Sequence, residues 1–454
     1  MQDTFEQDNS QNLLSDISHA LSQGMFVHVR NILHEMSDGD IAHVLESSPS
    51  KQRHVIWTLI DPEFHGDILE ELSEDVRNSI IQKMNPSMVA EATEGLDTDD
   101  LAEVLRSLPD ETYQAVLQSL DEQDRHRAEK ALGYEEDTAG AIMNTDTVTI
   151  RPDVTIEVVS RYLRLRGHLP EATDVLYVVD DQDKLLGTLS LAKLVVTSNP
   201  ATLVSDIMEE EAETIPADMD ESEVAKQFER HNWISAPVTN EQGLLLGRIT
   251  IDDIVDIIRE DAEHSMMSMA GLDDEEDTFA PVIKSTQRRS IWLGINLITA
   301  LLAALVSSAF EDILSQLAVL AVLNTIVPSM GGIAGNQTLT LVIRAMAVGH
   351  VAPTNVRWLI IKEFTIGLLN GVLWAVLIAS VVALWKQDLL LGGIIAFAML
   401  MNMLAAGIAG VSIPLILKRL EIDPALAGGV ILTTVTDVVG IFAFLGTATW
   451  LLSA

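Results

Sequence analysis

From Ile291 to the C-terminus the chain carries five apolar runs, at about 291–310, 317–345, 359–385, 389–417 and 426–452. In lipid, every backbone N–H and C=O must find its partner within the protein, which leaves the helix or the closed barrel. A bilayer core of about 30 Å takes roughly 20 helical residues. Each run reaches that length, so this half is expected to fold as an all-α bundle of five membrane-crossing helices. The second and fourth runs are long and interrupted by Gly and Pro.

Basic residues set the expected orientation. Lys284, Arg288, Arg289, Arg344, Arg357, Lys362, Lys418 and Arg419 fall on one side and Lys386 alone on the other. Positive charge collects on the cytoplasmic side, so the N-terminus is expected inside and, after five crossings, the C-terminus outside. Trp292, Trp358, Trp374, Trp385 and Trp450 lie mostly near span ends, where amphipathic rings favour the interface.

Charge divides the chain at the same place. Residues from Pro281 onward hold nine Lys/Arg and seven Asp/Glu, so the net charge of −39 is concentrated as −41 in residues 1–280. Such a region repels nucleic-acid phosphates and suits cations or a solvated surface. The opening Met1-Gln2-Asp3-Thr4-Phe5-Glu6 lacks the basic and apolar segments of a signal peptide, so residues 1–280 are expected in the cytoplasm. With no cysteine, disulfides, zinc-thiolate sites and cysteine nucleophiles are excluded.

Two internal duplications organise the acidic half. Turn-like starts recur every 12 residues at Ser37, Pro49, Asp61, Ser73, Asn85, Asp97, Pro109 and Asp121. The residue before each is mostly apolar (Met36, Ile60, Leu72, Met84, Leu96, Leu108, Leu120), with Ser48 breaking the series. Twelve residues hold one short helix and a tight turn, and such units stack into a superhelix or HEAT-like solenoid. Val104/Leu105 and Val116/Leu117 are expected to face the stack. The second duplication spans 138–262. Val175-Leu176-Tyr177-Val178-Val179-Asp180 with Gly187-Thr188-Leu189-Ser190 is matched by Ser235-Ala236-Pro237-Val238-Thr239-Asn240 with Gly247-Arg248-Ile249-Thr250. This β-α-β-β-α pattern resembles a tandem CBS-domain pair, a frequent ligand-sensing module. A helix from Ile251 to about Met269 then leads through Asp273-Asp274-Glu275-Glu276-Asp277 to the first span.

Within the last span, Thr433-Thr434-Val435-Thr436-Asp437 sets a carboxylate in lipid at a cost of about 2.5–3.5 kcal/mol, which marks a cation path or a buried ion pair. Arg344 is the available partner for a pair. Threonine hydroxyls, and carbonyls if the helix loosens near Gly428-Gly429, are hard oxygen donors that suit Mg²⁺ or Ca²⁺. The second span contains Pro328-Ser329-Met330-Gly331-Gly332-Ile333-Ala334-Gly335-Asn336-Gln337, a packing face or a pore lining.

These stretches, with Lys418-Arg419-Leu420 and Asp423-Pro424-Ala425-Leu426 between them and Gly440 after, resemble the MgtE family of bacterial Mg²⁺ channels. The resemblance covers nearly the whole chain. It implies a multidomain fold: an acidic α-helical superhelix over 1–135, an α/β CBS pair over 136–250, a connecting (plug) helix and linker over 251–287, and a five-helix pore domain over 288–454. It implies a homodimer in the bacterial inner membrane, with one pore on the dimer axis. Asp437 would hold a largely hydrated Mg²⁺, with Asn336 and the Thr433 carbonyl beside it. Gly429 stands where some members carry a polar side chain. The family further implies regulatory Mg²⁺ sites, onto which Asp99, Glu103, Asp220, Asp253, Asp256 and Asp261 map. The Ser/Thr-x-x-Asp element by which CBS pairs hold ribose survives as Thr250-Ile251-Asp252-Asp253 but is lost in Ser190-Leu191-Ala192-Lys193, which argues against ATP at the first copy.

The expected function is a gated Mg²⁺ importer closed by cytoplasmic Mg²⁺. Efflux, or broader specificity for Co²⁺ and Mn²⁺, would use the same residues. No Gly-x-x-x-x-Gly-Lys-Ser/Thr is present, and only His350 lies beyond His264, too little for a membrane enzyme.

Overall fold

The computed structural model describes residues 13–94, 96–170, 172–210, 212–272 and 277–452. Asp273-Asp274-Glu275-Glu276 of the acidic linker lies outside the described residues. The chain forms two compact units: residues 1–262 with 275–281, and residues 263–274 with 282–454.

The first unit begins with short helices, among them Asp38–Glu46, Ser50–Trp57, Glu74–Ile81, Pro86–Ala92, Thr98–Arg106, Asp110–Ser119 and Glu122–Ala131. The residue just before a helical segment is Ser37, Pro49, Asp61, Ser73, Asn85, Asp97 and Pro109 in turn, so the twelve-residue spacing is one helix per repeat. Ser37 and Asn85 accept the N–H of Asp40 and Met88, satisfying donors that a helix start leaves open. Pro86–Ala92 packs on Asp110–Ser119, and Thr98–Arg106 on Glu122–Ala131, so each helix meets the next but one. Val104, Leu105, Val116 and Leu117 are buried in the shared core. Ser48, the exception in the apolar series, is buried too, and its hydroxyl donates to the Val44 carbonyl.

Seven strands follow: β1 Thr149–Ile150, β2 Val175–Val179, β3 Leu185–Ser190, β4 Glu209–Glu210, β5 Ile215–Pro216, β6 Ser235–Thr239 and β7 Leu245–Thr250. They form two sheets, β1-β2-β3-β4 and β5-β6-β7. Each sheet pairs its first two strands parallel across a helix and the next two as a hairpin. The copies share even their irregularity, a register shift at Val178/Val179 and at Val238/Thr239. The connecting helix, Ile251–Met269, starts directly after β7.

The second unit has five helices long and apolar enough to cross a membrane: Val282–Ser308, Ala318–Ala347, Val356–Lys386, Leu389–Arg419 and Pro424–Leu452. We number these spans one to five. The interruption in span two falls between Ala318–Leu323 and Ile326–Ala347, ahead of the glycines. Span four runs through Pro414 without a break. Span five is one continuous helix, so it does not loosen at Gly428-Gly429. Gly428 serves packing instead: a Cβ there would lie 3.2 Å from Leu339, and one on Gly335 of span two 3.0 Å from Leu432. Spans two and five thereby approach closely, as small residues allow in lipid.

Candidate cation sites

Asp437 is half-buried on span five. Among the described residues no side chain forms an ion pair with it or donates to it, so Arg344 is not its partner. The threonines beside it turn inward on their own helix. Thr433 Oγ1 donates to the Gly429 and Val430 carbonyls, Thr434 Oγ1 to Val430, and Thr436 Oγ1 to the Thr433 carbonyl at 3.0 Å. The Thr433 carbonyl therefore stays within the helix. Across from it, a Cβ on Gly332 would lie 3.8 Å from Thr436 Oγ1, which sets span two against the turn that bears Asp437. Asn336 follows Gly332 by one helical turn and is exposed. No hydrogen bond joins Asn336, Thr433 and Asp437 in the described structure. Beside Gly429 there is open space.

A second membrane carboxylate escaped the sequence reading. Glu363 of span three is only 4% exposed. Thr338 Oγ1 donates to its Oε2 at 3.0 Å, and Lys362 Nζ lies 3.1 Å from its Oε1. The rule that singled out Asp437 applies to it equally, but the adjacent Lys362 places it at the basic end of its span. Glu363 is paired where Asp437 is not, so it reads as a tie between spans two and three.

In the first unit, the start of helix Thr98–Arg106 faces the start of the connecting helix. Asp99 Oδ1 is buried with no hydrogen-bond partner. Burial, with Asp100, Asp253 and Asp97 nearby, pushes the Asp99 carboxyl well above the usual range. Burial, followed by Glu70 and Asp253, pushes Asp100 up to about 9. Burial and Asp252 raise Asp253 to about 7, against the hydrogen bonds it accepts from Thr250 N and Oγ1 at 3.2 and 2.9 Å. Asp253 thus faces Asp99 and Asp100 while tied to Thr250. Glu103 forms an ion pair with the buried Arg77, and Asp256 with Arg259 at 3.0 Å.

Asp220 and Asp261 belong to a separate group. Asp220 caps helix Glu221–His231 by accepting the Glu223 N–H, and Asp261 accepts from Ser222 Oγ at 2.9 Å. Between them Glu221 is raised to about 7, by burial and then by Asp137, Glu260, Asp261 and Asp220. The family resemblance marked Asp99, Asp253 and Asp256 but not Asp100, Glu221 and Glu260, each of which the fold sets near acids from other elements.

Among the described residues no three carboxylate or imidazole groups converge to hold a bare ion. Mg²⁺ keeps several waters and is commonly bound by one or two carboxylates. Facing acids with a buried, unpartnered oxygen at Asp99 fit an ion of that kind.

Five helices long and apolar enough to cross a membrane, joined to a paired α/β module and an acidic superhelix, are the architecture of a multi-pass membrane protein with a large soluble part. Comparison with known proteins narrows the class. A family described as divalent cation transporter matches residues 324–447, the MgtE intracellular N domain matches 36–137, and the CBS domain matches 139–197 and 204–260. The chain is 30% identical to the magnesium transporter MgtE of Bacillus subtilis over 94% of its own length and 95% of that protein. It is 29% identical to the magnesium transporter MgtE of Thermus thermophilus, over 97% and 99%. The solved cytosolic domain of the Mg²⁺ channel MgtE in complex with ATP is 31% identical, with a TM-score of 0.50, over 54% of this chain and 99% of that one. The chain belongs to the MgtE family.

Proposed function

We propose that this protein is a homodimeric, gated Mg²⁺ importer of the bacterial inner membrane, with a cytoplasmic N-terminus and an external C-terminus. The observation that carries this reading is Asp437, a membrane carboxylate with no ion pair or side-chain hydrogen bond among the described residues, on a helix packed through glycines against span two. One carboxylate facing a water-filled path can hold Mg²⁺ through its hydration shell, with Asn336 and Thr433 lining the same path. Entry needs no nucleotide hydrolysis, because an inside-negative potential favours a divalent ion by about 4.6 kcal/mol per 100 mV.

In this reading residues 1–135 and 136–250 sense Mg²⁺, 251–287 transmit, and 288–454 conduct. Divalent ions near Asp99, Glu103, Asp253 and Asp256, and near Asp220 and Asp261, offset the repulsion of the acidic faces and draw the superhelix onto the CBS pair. The connecting helix carries that change toward span five. His264 Nε2 lies 3.3 Å from Asp423, whose carboxylate caps span five by accepting the Ala425 and Leu426 N–H groups. The reading places no ATP at the first CBS copy, where Lys193 stands in the carboxylate position and pairs with Glu209 at 3.7 Å.

The test is uptake by liposomes holding the purified protein. Wild type is expected to pass Mg²⁺ selectively, and Asp437→Ala to lose that selectivity while still assembling. Selective uptake by the variant would remove Asp437 from the path.

A further inference from the structure

Asn402 is wholly buried near the middle of span four. A carboxamide in an apolar bundle costs free energy unless both its ends find partners. Its Nδ2 donates to the Val327 carbonyl of span two at 2.7 Å. That bond fixes the amide orientation, because the flipped form would set oxygen against oxygen. Its Oδ1 has no hydrogen-bond partner and no solvent.

Two other spans are shaped around this amide. A Cβ on Gly331 of span two would collide with it, and the three atoms nearest to that Cβ all belong to the Asn402 side chain. A Cβ on Gly440 of span five would lie 2.9 Å from Asn402 Nδ2 and 3.2 Å from Pro328. Spans two, four and five therefore cross at one point. Gly440 sits one turn beyond Asp437, and Gly332, next to Gly331, faces Thr436. The crossing lies one helical turn from the proposed cation ligand along span five. If packing alone were at stake, leucine would fill the same space without an unpaired oxygen. The amide does what leucine cannot: it holds the span-two backbone by a directed bond.

We infer that Asn402 is a positioning residue for cation selectivity, fixing span two against span five so that Asp437 and the Gly331–Asn336 stretch keep their spacing. This rests on Asp437 being the pore ligand, so Asp437→Ala is measured alongside. The experiment compares Asn402→Leu, Gly331→Ala and the double variant Asn402→Ala/Gly331→Ala in liposomes. It reads thermal stability, half-saturating Mg²⁺, and Mg²⁺ against Co²⁺ uptake.

Asn402→Leu is expected to assemble with near-wild-type stability. Its preference for Mg²⁺ should fall about 10- to 100-fold, the usual effect of removing a group that orients a metal ligand. Gly331→Ala should assemble poorly, and the double variant should regain assembly without regaining selectivity. Wild-type selectivity in Asn402→Leu beside a defective Asp437→Ala overturns the inference alone. Should Asn402→Leu not assemble, wild-type selectivity in the double variant overturns it equally, and failure of both to assemble reduces Asn402 to a structural role. Selective uptake by Asp437→Ala overturns the pore-ligand reading, and this inference with it.

Discussion

Replacing Asp100 by Asn should stabilise the metal-free soluble region and blunt its response to Mg²⁺. Asp100 is raised from 3.8 to about 9 by burial and by Glu70 and Asp253. An acid whose value is higher folded than unfolded contributes stability that is complete below the unfolded value and lost as pH rises through the folded one. The window therefore runs from about pH 4 to about pH 9 for Asp100, and Asp253, raised to about 7, acts over its lower half. At pH 7 the unfolded group is ionised and the folded one must hold its proton, over roughly three units at 1.36 kcal/mol each, an upper bound of about 4 kcal/mol. At about 2–4 °C per kcal/mol for a unit of this size, Asp100→Asn should raise the unfolding midpoint in EDTA by on the order of 10 °C. The assay is thermal unfolding of the full-length protein followed by protease sensitivity of residues 1–280. Asp153→Asn, at an exposed site, serves as the control for general charge repulsion. Wild type in EDTA should be more stable at pH 5 than at pH 8. Mg²⁺ should raise it more at pH 8, where protons no longer occupy the cluster. A lower midpoint for Asp100→Asn in EDTA, or wild-type stability that climbs between pH 5 and 8, would refute the account of a proton-loaded cation site.

Three further outcomes are expected. A reporter fused after Ala454 should be active only outside the cell, and cytoplasmic activity would rule out the orientation proposed. Arg53, buried, forms an ion pair with Asp277 at 2.9 Å, so Asp277→Ala should strand a buried charge and cost about 3–5 kcal/mol, read as a lower unfolding midpoint of the soluble region. Glu363→Ala should destabilise the membrane unit by about 1–3 kcal/mol by leaving Thr338 without its acceptor, whereas Glu363→Gln should retain most of that stability in detergent unfolding.

What the sequence made legible is what repeats or what lipid forbids. The twelve-residue period gave the superhelix because each unit repeats one start signal, and Ser37 and Asn85 do cap their helices. The CBS pair was legible because the second copy restates the strand pair of the first, down to the register shift. Five spans were legible from length alone, and the cost of a charge in lipid set Asp437 apart as a candidate. The acidic cluster was only half visible. Helical spacing marks residues that share a face of one helix, whereas Asp100 takes its character from Glu70 and Asp253, which the fold brings in from other elements.

The glycine stretch of span two shows the limit most clearly. Its residues suggested either a packing face or a pore lining, and neighbours in sequence could not choose between them. The choice is made by Asn402, dozens of residues away on span four, whose amide occupies the space that a side chain at Gly331 would need. Gly331 and Gly440 thus serve packing, while Asn336, one turn along from Gly332, is left exposed. The packing face of this helix is fixed only once the partner that fills the glycine notch is known, and the face bearing Asn336 is the one that partner leaves uncovered.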